Sequence, residues 1–429
     1  MRENSTVARS VLLIAFHYPP CGVSSGLQRT LAFSRYLGQH GWHPVVLTVR
    51  PEVFERTSPH QLGDIPSGVT VARTRGFDAA RTFAIGGRYW SRLALPDRWS
   101  SWWLTAVPAG LRLIRRHDIS AIWSTYPIAT AHSIAATLAK RTGLPWIADF
   151  RDPMVEFNST TNSWAPRDSA VRSARLGIER RAVRQASSLV FCTAAAREIV
   201  VNRYPDTPPR STAVIPNGYE ERSFADAERS WHPTPRPRRL LLHSGTVIPG
   251  PDRDPTALFQ ALRQLLEAGR VSPSNFELRL RDPSNEAHFR RLADAAGIGE
   301  LVTIAPPLSY REALAEMLDA NGLLILQGYT SNPAVPAKLY EYLRARRPIL
   351  PLVDAAGETA RTLRSIGHLH SAPLTDVCAI SRLLDEWLSS PSTFMTPASY
   401  EQNVVDFSRE RLTARLATEL DRVHAQHFT

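Results

Sequence analysis

The stretch VPAKLYEYL, residues 335–343, holds one of only two lysines in a chain of 429 residues. The other is Lys140, and arginine supplies the remaining 49 of the 51 basic side chains. Pro336 suits the first turn of a helix, because its missing N–H costs nothing there. Lys338 would then lie within that turn and Glu341 one turn on, along the same face. A helix start offers free N–H groups and partial positive charge, and a compact, mobile ammonium beside it makes a site for a diphosphate. Glu341 can accept two hydroxyl hydrogen bonds, as a ribose diol offers. The competing reading is a solvated Lys–Glu pair at i,i+3; the scarcity of lysine favours function.

Other residues capable of chemistry fall where apolar runs end. HSGTVIPGPDRDPTALF places Ser244, Gly245 and Thr246 directly after such a run and Arg253 just ahead of a helical pattern. A guanidinium there can grip a phosphate through two N–H groups. Asp252 and Asp254 form a D-x-D, but three residues are slight grounds for a metal, and Asp254 also suits a helix N-cap. FHYPPCGVSSGLQR carries Gly22, Ser25 and Gly26 in a small-residue loop that runs into a helix. Such a loop lets backbone N–H groups approach an oxygen-rich ligand. It is not G-x-G-x-x-G, so dinucleotide binding is unsupported. His132, in STYPIATAHSIAA, sits near a helix start, where a lone histidine is more often structural than reactive. PWIADFRDPM brings Asp149, Arg151 and Asp152 together, which reads as a salt-bridge cluster fixing a loop rather than as direct catalysis.

The elements that must position these residues alternate. VLLIAF (11–16), HPVVLTV (43–49), AIWST (121–125), PWIADF (145–150), LVFCT (189–193) and AVIPN (213–217) are short apolar runs separated by helical patterns, one of them an arginine-rich helix at about 167–187. WHPTPRPRR (231–239) interrupts as a linker, being a poor helix or strand former. LLLHSGT, FELRLRD, LVTIAP, GLLILQ and PILPLV then restart the alternation. Runs apolar enough to be covered on both faces imply parallel sheets. The expected fold class is α/β with two doubly wound, Rossmann-like domains. An N-terminal domain spans 1–230, a linker 231–239 and a C-terminal domain 240–399, with a closing helix at 400–429 able to pack back on the N-domain.

RYWSRLALPDRWSSWW (88–103) breaks the rhythm. Its aromatics and arginines suit a membrane interface or a ligand wall, and equally an insertion that buries its tryptophans against the N-domain.

Composition is that of an ordinary globular chain, 43% hydrophobic and 21% charged. Three widely spaced cysteines, without CxxC, argue against a disulfide framework or structural zinc and suit a reducing compartment. A net charge of +11 fits phosphorylated substrates, an anionic membrane surface or nucleic acid. No RNP motif or zinc finger supports the last. VLLIAF is too short for a signal peptide core or a bilayer span, so the expected location is cytoplasmic, with any membrane contact peripheral, on the inner face.

FHYPPCGVSSGLQRTLAFSRYL, STYPIATAH, PWIADFRDPM, VIPNGYEERSF, HSGTVIPGPDRDPTALFQAL and VPAKLYEYLRARRPIL resemble, in that order, segments of GT-B glycosyltransferases of the family 4 type, across roughly residues 10 to 365. The resemblance implies two domains facing across a cleft and a nucleotide-sugar donor held mostly by the C-terminal one. It implies a saccharide or lipid-linked acceptor at the N-terminal domain, with metal-free, retaining transfer and no cofactor. Position by position, Glu341 resembles the ribose-binding glutamate, and Lys338, with neighbouring Leu339, the turn contacting the diphosphate. Arg253 falls near a phosphate-binding basic residue, and Gly245, followed by Thr246, lies on a loop beneath the donor. Gly22, Ser25 and Gly26 match the N-domain glycine loop, and His132 a histidine approaching the transferred sugar; His132, Lys338 and Arg253 are the implied catalytic set. Two positions depart: Pro333, beside Asn332, stands where a first glutamate is expected, and Thr246 where an arginine is usual. The rival functions are a nucleotide-sugar epimerase or hydrolase on the same scaffold, and a basic protein that binds nucleic acid or a membrane surface.

Overall fold

The computed structural model describes residues 9–22, 25–82, 94–158, 162–232 and 235–428. Its strands are β1 (Arg9–Ile14), β2 (Trp42–Val49), β3 (Thr70–Thr74), β4 (Ile119–Thr125), β5 (Trp146–Arg151), β6 (Glu156–Asn158), β7 (Ser163–Ala165), β8 (Ser188–Phe191), β9 (Thr212–Val214), β10 (Arg239–His243), β11 (Phe276–Arg281), β12 (Val302–Ala305), β13 (Gly322–Leu326) and β14 (Ile349–Leu352). Its helices are α1 (Ser25–Tyr36), α2 (Ala79–Thr82), α3 (Trp102–Arg116), α4 (Ala129–Thr142), α5 (Ser169–Gln185), α6 (Ala194–Arg203), α7 (Glu221–Ser230), α8 (Thr256–Glu267), α9 (Glu286–Ala295), α10 (Tyr310–Asp319), α11 (Ala337–Ala345), α12 (Glu358–Ser365), α13 (Val377–Ser389), α14 (Glu401–Val405) and α15 (Arg409–Phe428).

The chain divides into two compact units. The first joins Met1–Pro216 with Arg409–Thr429. Its sheet runs β3-β2-β1-β4-β5-β8-β9, every pairing parallel. In β1, Leu12 and Ile14 enter one core layer and Val11 and Leu13 the other, so a continuous apolar run is what this central strand requires. Leu412, Leu416, Leu420 and Val423 of α15 close the second layer at helical spacing. Trp102 is fully buried and donates from Nε1 to Thr74 Oγ1 at 2.9 Å, and Trp103 Nε1 donates to Thr137 Oγ1 at 3.1 Å. The described part of the aromatic insertion therefore packs into the unit; residues 88–93 lie outside the described residues.

The second unit is Asn217–Ser408, with the parallel sheet β12-β11-β10-β13-β14. Here too the central strand is buried on both faces, Leu241 in one layer and Leu240 and Leu242 in the other. Residues 217–230, read from the sequence as the tail of the first domain, pack with this unit. Phe224 and Ala227 of α7 enter its core, and Arg344 pairs with Glu221 at 2.6 Å and Glu228 at 2.8 Å. In each sheet the chain begins at a central strand and builds outward both ways, so strand order reverses between β1 and β4 and between β10 and β13. Those are the places where open α/β sheets take ligands. Among the described residues no helix is long and apolar enough to cross a membrane.

Candidate functional site

In the second unit the β10–β13 ladder pairs Leu241 with Gly322 and Leu242 with Leu323. One residue further on, the His243 side chain takes over: its Nδ1 lies 3.0 Å from Leu324 O. A carbonyl can only accept, so Nδ1 carries the proton and Nε2 presents a lone pair. The Lys338 ammonium donates to that lone pair, Nζ to Nε2 at 2.7 Å. His243 is 1% exposed, and burial, then the Lys338 cation, hold its pKa well below the usual histidine value. Burial, then the nearby Arg253 charge, push Lys338 down to about 7, against the opposing pull of Glu341.

The turn after β10 is shaped around this pair. Gly245 adopts φ +96°, which disfavours any side chain, and a Cβ there would lie 3.6 Å from Lys338 Nζ. The Ser244 N–H donates to the buried Tyr342 hydroxyl at 2.9 Å, anchoring the turn to α11. Arg253 is partly exposed and donates from Nη1 to Thr246 O at 2.9 Å, which folds the 246–253 loop into a hook. Asp252 accepts from Thr330 Oγ1 and Ser331 Oγ, each at 2.8 Å, and Asp254 accepts from the Thr256 N–H at 3.0 Å. Both carboxylates of the D-x-D thus serve as loop ties. Among the described residues no cluster of three or more His, Cys, Asp or Glu could hold a metal. Glu341 accepts from the Tyr310 hydroxyl at 2.8 Å, which links α11 to α10.

The structure therefore gathers Gly245, Arg253 and Lys338 at the β10–β13 switch point, with Glu341 one turn along α11. Other expected contacts are redirected. Leu339 is fully buried in the core, and its N–H donates to Pro336 O at 3.0 Å, so its side chain packs the fold rather than a ligand. Asn332 Nδ2 donates to Asp354 Oδ2 at 2.7 Å, and the Thr246 hydroxyl donates to Asp282 Oδ2 at 2.9 Å.

In the first unit the Gly22 N–H donates to Arg56 O at 2.9 Å, so this glycine secures a chain crossing instead of cradling an anion. Ser25 opens α1 and Gly26 follows in its first turn, beside a niche formed with His17, Thr125 and Tyr126. His132 departs most from expectation. It is 0% exposed, bonded from Nδ1 to Ser124 Oγ at 2.7 Å and packed 5.0 Å from the Phe150 ring, and burial drives its pKa down to about 3. A neutral imidazole sealed in the core does not touch a substrate. Of the charged trio, Asp149 pairs with Arg29 of α1, so the cluster is structural but its main partner comes from elsewhere. Sequence reasoning missed His243, whose one visible sign is a polar residue closing the apolar run Leu240–Leu242.

Two doubly wound sheets, each with its switch point, form the GT-B architecture, and solved structures bear this out. The chain is similar to sucrose-phosphate synthase from Thermosynechococcus elongatus (16% identity, TM-score 0.63, covering 97% of this chain and 100% of that one). It is similar also to HepE of Anabaena, solved with UDP-glucose (11%, 0.65, 96% and 99%). A third similar structure is WaaG, a glycosyltransferase involved in lipopolysaccharide biosynthesis (14%, 0.58, 95% and 98%). Residues 26–218 match the family described as glycosyl transferase 4-like domain, nearly all of them within the first unit. No curated protein sequence matches it.

Proposed function

We propose that this protein is a glycosyltransferase that moves a sugar from a nucleoside diphosphate donor, held by the second unit, to a hydroxyl of a saccharide or lipid-linked acceptor. The observation that carries the reading is the Lys338 ammonium fixed 2.7 Å from His243 at the β10–β13 switch point, with Gly245 and Arg253 beside it. Departure of the nucleoside diphosphate builds negative charge on its outer phosphate. Lys338, Arg253 and the start of α11 offer that charge a cation, a forked donor and free N–H groups, which lowers the barrier without a strong base. Glu341, steadied by Tyr310, is assigned to the ribose diol. Transfer is proposed as retaining, with the departing phosphate oxygen taking the acceptor proton on the same face, and as independent of metal.

HepE is solved with UDP-glucose and WaaG serves lipopolysaccharide synthesis, which favours a UDP- or related sugar and a cell-envelope or exopolysaccharide product. The net charge of +11 favours work at the anionic inner membrane face. A thermal-shift screen with UDP-, GDP-, ADP- and dTDP-sugars tests the reading, because a ligand present at a hundred times its Kd stabilises the fold by about 2.7 kcal/mol. One of the four is expected to raise Tm by several degrees. No shift with any of them overturns it.

A further inference from the structure

His243 lies at the bottom of the site and has no place in the proposed chemistry, yet both of its nitrogens are engaged. Leu324 O fixes Nδ1 as the protonated nitrogen, and Nε2 is left as an acceptor aimed at Lys338. The strand end, the switch point and the Gly245 turn converge on this one contact. A lysine at the start of a helix ordinarily carries several rotamers to solvent. Here an imidazole nitrogen that can only accept selects one of them and holds the ammonium over Gly245.

We propose that His243 is the positioning residue for Lys338, fixing its ammonium where a donor diphosphate binds. The inference rests on the assignment of the second unit as donor site. The groups that face Lys338 are His243 from β10, Arg253 from the loop ahead of α8 and Glu341 from its own helix. Arg253 and the surrounding apolar packing disfavour the charged lysine, Glu341 favours it, and His243 contributes a lone pair that only the protonated amine can fully use. A bound diphosphate adds strong negative charge and draws a proton onto Lys338. Nucleotide affinity should therefore fall as pH rises through the Lys338 midpoint, by up to tenfold per pH unit.

Because the chain has two lysines, the test can watch one of them directly. The full chain is labelled with 13C-lysine, the Lys338 Cε signal is assigned with Lys140→Arg, and its titration is followed in the wild type, His243→Gln and His243→Leu. UDP, GDP and ADP binding is measured across the same pH range. The expected result is a wild-type midpoint near 7, a lower midpoint in His243→Leu by at least half a pH unit, and a smaller change in His243→Gln, which keeps an acceptor oxygen. The pH dependence of nucleotide affinity should move with the midpoint. Folding of each variant is checked by its far-UV spectrum, and His243→Gln carries the test if His243→Leu does not fold. A Lys338 midpoint near the ordinary lysine value of about 10.4, or one that ignores His243, overturns the proposal. If the midpoint responds to His243 but no nucleoside diphosphate binds at any pH, the donor-site assignment is what fails, and with it the functional part of the inference.

Discussion

The Arg29 guanidinium donates to the Asp149 carboxylate twice, Nε to Oδ2 at 2.7 Å and Nη2 to Oδ1 at 3.2 Å, and once more to Pro216 O at 2.9 Å. Both side chains are buried, and the pair fastens α1 to the end of β5 beneath the first unit's loops. Removing one partner strands the other charge in the core. Asp149→Ala should cost about 3–5 kcal/mol in urea unfolding, and the double variant Arg29→Met/Asp149→Leu should recover much of it. A loss below about 1 kcal/mol for the single variant would show that the pair is not buried in this way.

His132 makes a second, pH-dependent prediction. Its folded pKa of about 3 lies below the ordinary 6.5, so the unfolded chain takes up a proton that the folded core refuses. The stability this contributes is complete above pH 6.5 and is lost as pH falls towards 3, at up to about 1.4 kcal/mol per pH unit. His17 and His368, both lowered to about 4 chiefly by burial, act in the same direction. Urea midpoints for the wild type and His132→Gln should converge between pH 7 and pH 5. Parallel curves would place His132 in water.

The sheets were largely legible in the chain because their inner strands are covered on both faces. VLLIAF and GLLILQ read as strands for the reason that Leu12 and Leu324 have no solvent side at all. The edge strand β3 was missed. TVART has no apolar run, and each of its residues stays partly exposed. At the site, Lys338 stood out by composition and Gly245 by its place after a strand. His243 did not, because its meaning lies in a contact with a residue 95 positions away, which no local pattern encodes. His132 misled for the opposite reason: a family position was matched while its burial was invisible.

Asp97 shows the same limit and carries a third prediction. Its carboxylate accepts from the Thr130 N–H at 2.8 Å and the Thr130 hydroxyl at 2.9 Å, capping α4 from a distant loop. It replaces the local cap that Ile128, preceding α4, has no side-chain group to provide. Asp97→Ala should lower stability by about 1–2 kcal/mol, and Asp97→Asn by less, as read by chemical denaturation. Equal losses would assign the effect to charge rather than to capping.

Gly245 is constrained by φ +96°, while a Cβ there would meet Lys338 Nζ at 3.6 Å, an ordinary contact. Gly245→Ala should cost about 1–2 kcal/mol of stability. It should also weaken UDP, GDP or ADP binding, whichever the chain prefers, by distorting the turn that lies against Lys338. Unchanged nucleotide affinity in a destabilised variant would separate the turn from the site.

The central claim is that Lys338 stabilises the departing diphosphate. The direct measurement is the rate of nucleoside diphosphate release from the preferred donor, in the presence of acceptor, for the wild type, Lys338→Met and Lys338→Arg. Loss of one preorganised donor to developing charge should lower kcat by about 100- to 1,000-fold in Lys338→Met. The bulkier fork of arginine should restore only part of it. Release by Lys338→Met within twofold of the wild-type rate would contradict the account.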